Sequence, residues 1–396
     1  MNTKPTSTIV VGAPATGKKY WPRPDVTQAL LSALGNDHVI FPGPRRTGKT
    51  SILIHLRDTY EEPGRAVLIN AEKYSTASEL VQGIAKEVLT PDVAKRTKKT
   101  IKSGASKIKG LKIGLFGIDF QQAAQENWEN AADSLLQGLI ETPEPVLIMI
   151  DEFSVFVNKL SKKEPDETEK LLRWFREWRQ RLVDTRIRFL LTGSIGIDTV
   201  LRRLNLGDTI NDCRPVEMFP PAEQDAHNFL LQRASENNIP LTDSLATEML
   251  QLINPHWYYP MQLFLVEIQT WVRANEATPD ASALQTIYRE QLVGKGNELL
   301  KHMWDKLSDI FDPADGRFAR HLLRALAKVA KGLSRQEMEN LHIQEFPPGG
   351  TEESADFEYV LNVLVHDGYL IKDAYGDKKT RFASNLLRDY WEHQNA

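Results

Sequence analysis

The chain has 396 residues, 41% apolar and 26% charged, with a formal net charge of −4 and one cysteine. That length allows two or three domains, and the near-neutral balance excludes a global electrostatic pull on nucleic acid or anionic membrane. Lone Cys213 excludes an internal disulfide framework and fits a reducing compartment. No stretch reaches the length of a membrane-spanning helix, and MNTKPTSTIVVGAP has no secretory apolar core, so a cytoplasmic protein is expected.

Two segments fit the outline Gly, four residues, Gly, Lys: GAPATGKK at 12–19 and GPRRTGKT at 43–50. In a chain of this size the outline arises by accident in roughly one case in ten, and with a following Ser or Thr in about one in seventy. The chemistry separates the two further. A phosphate-binding loop leaves a strand, opens a helix, and needs a hydroxyl after its lysine to hold Mg²⁺. The second segment has Thr50 and Ser51 there, the apolar run Val39-Ile40-Phe41 before it, and Ile52, Leu53 and Leu56 at helical spacing behind it. The first has Lys19 in place of the hydroxyl, and Pro22 and Pro24 bar a helix from continuing out of it. Residues 12–19 are therefore read as an N-terminal lead-in. Residues Gly43, Pro44, Arg45, Arg46, Thr47, Gly48, Lys49, Thr50 and Ser51 are the candidate nucleotide site.

Four apolar runs read as buried parallel strands: 38–42, 66–70, 146–150 and 187–191. Helical patterns separate them, so a doubly wound α/β sheet is expected, with ligands at the carboxyl ends of its strands. Between the second and third runs, residues 95–112 hold eight Lys or Arg and no acid. This block can contact phosphates, form a solvated insertion, or meet an acidic partner protein. The following LKIGLFGIDF alternates and predicts a strand or hairpin, and the whole insertion covers about 95–118. The third run ends in Asp151-Glu152, where Asp151 can hold Mg²⁺ through its water shell and Glu152 can polarise an attacking water. Next, Leu171, Trp174, Phe175, Trp178 and Leu182 predict an amphipathic helix whose Arg173, Arg176, Arg179 and Arg181 form a solvated face. The fourth run ends LLTGSIG, where Thr192 and Ser194 can orient phosphate or water, or form only a turn.

After Pro221 the pattern changes to helices, down to a hairpin near the C-terminus. Residues 221–312 predict a helical lid in which Pro260 opens an apolar helix and Trp257, Tyr258 and Tyr259 pack inward. Residues 313–396 predict a third unit. RFARHLLRALAKVAK is one helix, Ser334 with Glu337 caps a second, FEYVLNVLVHDGYL gives a third, and a hairpin turns at Tyr375-Gly376-Asp377. That order suggests a winged helix-turn-helix. Its third helix, approached by Glu352, Glu353 and Asp356 and bearing Glu358 and Asp367, has no Lys or Arg, so phosphates would repel it.

GPRRTGKTSIL, VLIMIDEF, FLLTGSIG and the C-terminal unit, in that order, resemble the archaeal-type ATPases of the AAA+/STAND group of P-loop NTPases. The resemblance runs from about residue 18 to the end, and the paired Arg45 and Arg46 are its most specific feature. It implies ATP and Mg²⁺ as ligands, Lys49 on the phosphates, Thr50 and Asp151 on the metal, Glu152 on the water and Ser194 as sensor. It also implies an arginine finger among Arg202, Arg203 and Arg214, working across a homo-oligomer. Pro22-Arg23-Pro24-Asp25 departs from the family's Gly-Arg-Glu, and Tyr258-Tyr259-Pro260 keeps only the proline of its Gly-x-Pro. The expected function is an ATP-hydrolysing switch acting through self-assembly or partner proteins. Two alternatives stand: a nucleic-acid-binding, replication-type ATPase using 95–112, and a nucleotide-bound scaffold in a signalling or defence complex that turns over little.

Overall fold

The computed structural model describes residues 7–60, 64–89, 118–193, 197–294, 298–349, 354–372 and 378–394. The chain forms two compact units. One comprises residues 22–45 and 49–218, and the other 1–21, 46–48 and 219–396.

The first unit is built on a five-stranded sheet. Its strands are β1 (Val39–Pro42), β2 (Arg65–Asn70), β3 (Val146–Asp151), β4 (Ile187–Gly193) and β5 (Arg214–Pro215). All pair in parallel in the order β2-β3-β4-β1-β5. The four apolar runs are the four long strands. Every residue of β3 is buried, as a strand with helices on both faces requires. β5 escapes sequence reading because it is two residues long, exposed and ends in proline.

Helices cover the sheet through side chains at three- and four-residue steps. In Lys49–Thr59 these are Ile52, Leu53 and Leu56, and in Pro165–Arg181 they are Leu171, Phe175 and Trp178. The latter helix corrects one expectation. Arg179 is not on a solvated face but 1% exposed, where its guanidinium pairs with Asp212 at 2.8 Å and donates to the Thr209 carbonyl. At that point the helix meets the segment leading to β5, and a buried arginine needs such a carboxylate. Arg173 and Arg176 stay nearer solvent and share Asp208. A second correction concerns the end of LKIGLFGIDF. Residues 111–117 lie outside the described residues, and Ile118, Asp119 and Phe120 open the helix Ile118–Glu126 instead of ending a strand, since buried Ala123 and Ala124 extend a helical pattern behind them. The basic block 95–112 lies outside the described residues.

The second unit is helical with one hairpin. Helices Glu223–Glu236, Asp243–Leu252, Tyr258–Asn275, Ala281–Ile287 and Glu298–Ile310 form its first part, and Pro313–Ala327, Arg335–Glu345 and Phe357–His366 follow. Strands β6 (Leu370–Lys372) and β7 (Thr380–Phe382) pair antiparallel, and helix Asn385–Gln394 closes the chain. The turn expected at 375–377 lies outside the described residues. Ser334 and Glu337 form the expected reciprocal capping box. One continuous core joins residues from Ala226 to Trp391, with Tyr258 packed against it, and Tyr259 is itself buried. The N-terminal lead-in is fixed within this unit. Gly17–Lys19 is a single 3-10 turn, and the carbonyls of Lys18 and Lys19 accept from buried Arg233 at 3.5 and 3.0 Å.

Candidate nucleotide site

The loop between β1 and the helix Lys49–Thr59 has the geometry its residue types predict. Gly48 has φ 102, a left-handed conformation that favours glycine. Gly43 is a close approach, because a Cβ there would lie 2.9 Å from the Cβ of Met218. Arg46 is also left-handed, at φ 63, a strained position for a side-chain-bearing residue. The loop ends at a helix N-terminus, whose amides and dipole favour an anion.

Lys49 is 5% exposed, and its ammonium donates to the carbonyls of Gly43 and Pro44 at 2.6 and 2.8 Å. The loop thus folds around its own lysine. The two arginines have different partners. Arg45 reaches Glu72, just past β2, at 3.7 Å, and the Arg46 guanidinium stacks over the Tyr259 ring at 4.5 Å within the helical unit.

The acids lie where β3 ends. Asp151 is 2% exposed and accepts three hydrogen bonds. Thr50 Oγ1 donates to its Oδ2 at 2.7 Å, the Glu152 amide to its Oδ1 at 3.0 Å, and Thr192 Oγ1 also to Oδ1. A buried carboxylate held by hydroxyls, with no cation on it among the described residues, and beside the loop hydroxyl, is a hard-oxygen donor set that fits Mg²⁺. Glu152 follows in a left-handed conformation, φ 54 and ψ 32, as the N-cap of Phe153–Lys163.

Of the residues singled out in the sequence, Gly43 to Arg45, Lys49 to Ser51, Asp151 and Glu152 gather at the carboxyl ends of β1 and β3, while Arg46, Thr47 and Gly48 group with the helical unit. Ser194 lies outside the described residues. The grip of Thr192 on Asp151 was missed. Its signal was present in the strand pairing, since Ile150 and Leu191 are partners and the next residue of each strand is Asp151 and Thr192. Among the arginines, Arg203 donates to Asn158 at 2.7 Å, Arg214 pairs with Asp37 at 3.4 Å, and Arg202 is exposed. Arg23 donates to both oxygens of Asp25, at 3.1 and 3.0 Å, so the departure at 22–25 is a local pair at a helix start. Cys213 is free and buried, and burial pushes its thiol up to about 11. No described helix is long and apolar enough to cross a membrane.

No protein-family model matches the sequence, and no curated protein matches it significantly. Solved structures do match. The Walker-type ATPase PABY2304 of Pyrococcus abyssi is 16% identical, with a TM-score of 0.61, over 97% of this chain and 99% of that one. The Aeropyrum pernix ORC2 protein, solved in ADPNP-ADP complexes, is 13% identical, with a TM-score of 0.53, over 94% of this chain and 90% of that one. At these identities the likeness establishes architecture, and with the parallel sheet it shows that this chain has the α/β P-loop NTPase fold.

Proposed function

We propose that the protein binds and hydrolyses ATP with Mg²⁺ as an AAA+/STAND-type switch, working through self-assembly or a partner protein. The observation that supports this most is the 2.7 Å pairing of Thr50 with buried Asp151. It joins the loop hydroxyl and the strand-end acid, 101 positions apart in sequence, as a metal site demands. The ADPNP-ADP complexes of the Aeropyrum pernix protein favour adenine nucleotides as the ligand class.

In this reading Lys49 exchanges its loop carbonyls for the phosphates and neutralises them. Thr50 and Asp151 hold the metal. When bound, Mg²⁺ supplies charge stabilisation at the phosphate oxygens. The Glu152 carboxylate takes the proton of the attacking water, and Ser194 is the proposed sensor. Nucleotide state would then set the helical lid at 221–312 and the winged-helix-like part at 313–396, a division of the second unit that is itself part of the proposal.

Phosphate release from Mg·ATP tests it. Lys49→Ala is expected to abolish both binding and release. Glu152→Gln should keep binding and lower release by about a hundredfold or more, the usual range for a general base. Wild-type turnover in Glu152→Gln would remove the glutamate from its role, and wild-type turnover in Lys49→Ala would remove the loop from the site.

A further inference from the structure

Strand β4 lies between the two halves of the site. On one side it pairs with β1, with Phe41 opposite Thr192 and Pro42 opposite Gly193, immediately before the loop. On the other it pairs with β3, up to Ile150 opposite Leu191, immediately before the acids. Its last two residues touch both ends of the tetrapeptide Asp151-Glu152-Phe153-Ser154.

At the first end, Thr192 Oγ1 donates to Asp151 Oδ1. That oxygen also accepts the Glu152 amide, so the hydroxyl and the backbone of the next residue share one acceptor. Oδ2 is left facing Thr50. At the other end, Gly193 packs directly on Ser154. A Cβ built at Gly193 would overlap the Ser154 hydroxyl, lie 2.7 Å from its Cβ, and come within 3.2 Å of its backbone nitrogen. Ser154 is 1% exposed, and its hydroxyl has no hydrogen-bond partner among the described residues. Burying an unpaired hydroxyl costs about 1–3 kcal/mol. The side chain is therefore not placed there to make a bond, and its smallness matters more, since it lets the first turn of the helix Phe153–Lys163 sit against β4. Between these two fixed points stands Glu152, in a left-handed conformation that surrounding structure has to impose.

We propose that Thr192 and Gly193 are positioning residues. Thr192 sets the Asp151 carboxylate for the metal, and the absent side chain of Gly193 seats Ser154 so that Glu152 is held in its strained backbone conformation. Neither touches the reacting atoms. This rests on the ATPase reading above and extends it to the neighbouring strand.

The test uses the full-length chain, a fluorescent ATP analogue titrated with Mg²⁺, and phosphate release. Thr192→Val should raise the Mg²⁺ concentration for half-maximal nucleotide binding by about tenfold or more, the range typical of groups that orient a metal ligand. Thr192→Ser, which keeps the hydroxyl, should restore it to within about threefold on the same scale. Gly193→Ala should lower turnover by about a hundredfold, as displacement of a catalytic group by an ångström does, while nucleotide still binds. Combining it with Ser154→Gly, which removes the obstructing atoms, should recover about tenfold of that loss. An unchanged Mg²⁺ dependence in Thr192→Val overturns the first half. Wild-type turnover in Gly193→Ala, or a loss that Ser154→Gly leaves untouched, overturns the second. If Gly193→Ala does not fold, as circular dichroism would show, folding of the double variant supports the same packing and its failure to fold overturns it. A wild type that neither binds nor hydrolyses Mg·ATP, and matches Lys49→Ala, overturns the ATPase reading and this inference together. An active wild type with unaffected variants overturns this inference alone.

Discussion

At His38, just before β1, burial decides the protonation state. The ring is 4% exposed, its Nδ1 accepts the Phe189 amide at 3.0 Å, and its Nε2 donates to the Arg179 carbonyl at 3.0 Å. Loss of solvent pushes the ring down to about 4, aided by the charges of Arg179 and Arg188, and only partly opposed by the Arg179 carbonyl. The folded value lies below the ordinary 6.5, so the unfolded chain takes up the extra proton. The stabilisation is complete above about pH 6.5 and is lost as pH falls toward 4, by about 3 kcal/mol across that window. Urea midpoints for wild type and His38→Gln at pH 7.5, 6 and 5 should converge as pH drops, the wild type falling more steeply. Parallel curves would show that His38 is not the neutral buried group.

At the scale of elements, the helix Pro165–Arg181 is anchored by more than its apolar stripe. The indoles of Trp174 and Trp178 both donate to Asp133 Oδ1, at 2.7 and 2.6 Å, which locks this helix to Trp128–Ile140. Removing the acceptor leaves two donors unpaired, one on a side chain 2% exposed. Asp133→Ala should therefore cost about 2–6 kcal/mol, at 1–3 for each stranded group. Asp133→Asn retains an oxygen and should cost about half that on the same reasoning. Denaturant midpoints decide the matter, and equal losses in the two variants would point to charge, not to the shared acceptor.

For the whole molecule, the two units each have their own apolar core, one from Ile40 to Cys213 and one from Ala226 to Trp391. Separate cores of this size predict unfolding that departs from a single two-state transition. Calorimetry should give a van't Hoff enthalpy smaller than the measured enthalpy. Mg·ATP at a hundred times its dissociation constant should stabilise the transition that contains the sheet by about 2.7 kcal/mol, and Lys49→Ala should abolish that shift. A single transition with equal enthalpies, unmoved by nucleotide, would contradict both the separate cores and the loop's role.

What the sequence by itself determined is what depends on neighbours in the chain. The four apolar runs became strands, and the loop at 43–50 was separable from GAPATGKK, because strand, hydroxyl and helix signals lie within a few residues of the lysine. The capping box at Ser334 was legible for the same reason, as was Asp151-Glu152 at the end of a fully apolar run. The tertiary structure decided what depends on distant partners. Arg179 looks like any arginine on a helix face until Asp212 and Thr209 arrive beside it. Strand β5 has too few residues to show a pattern and exists only by pairing with β1. The grip of Thr192 on Asp151 and the seat of Ser154 on Gly193 follow from the register of β3 and β4. Local patterns record which face of an element is apolar, whereas register and close packing arise only when elements far apart in the chain meet.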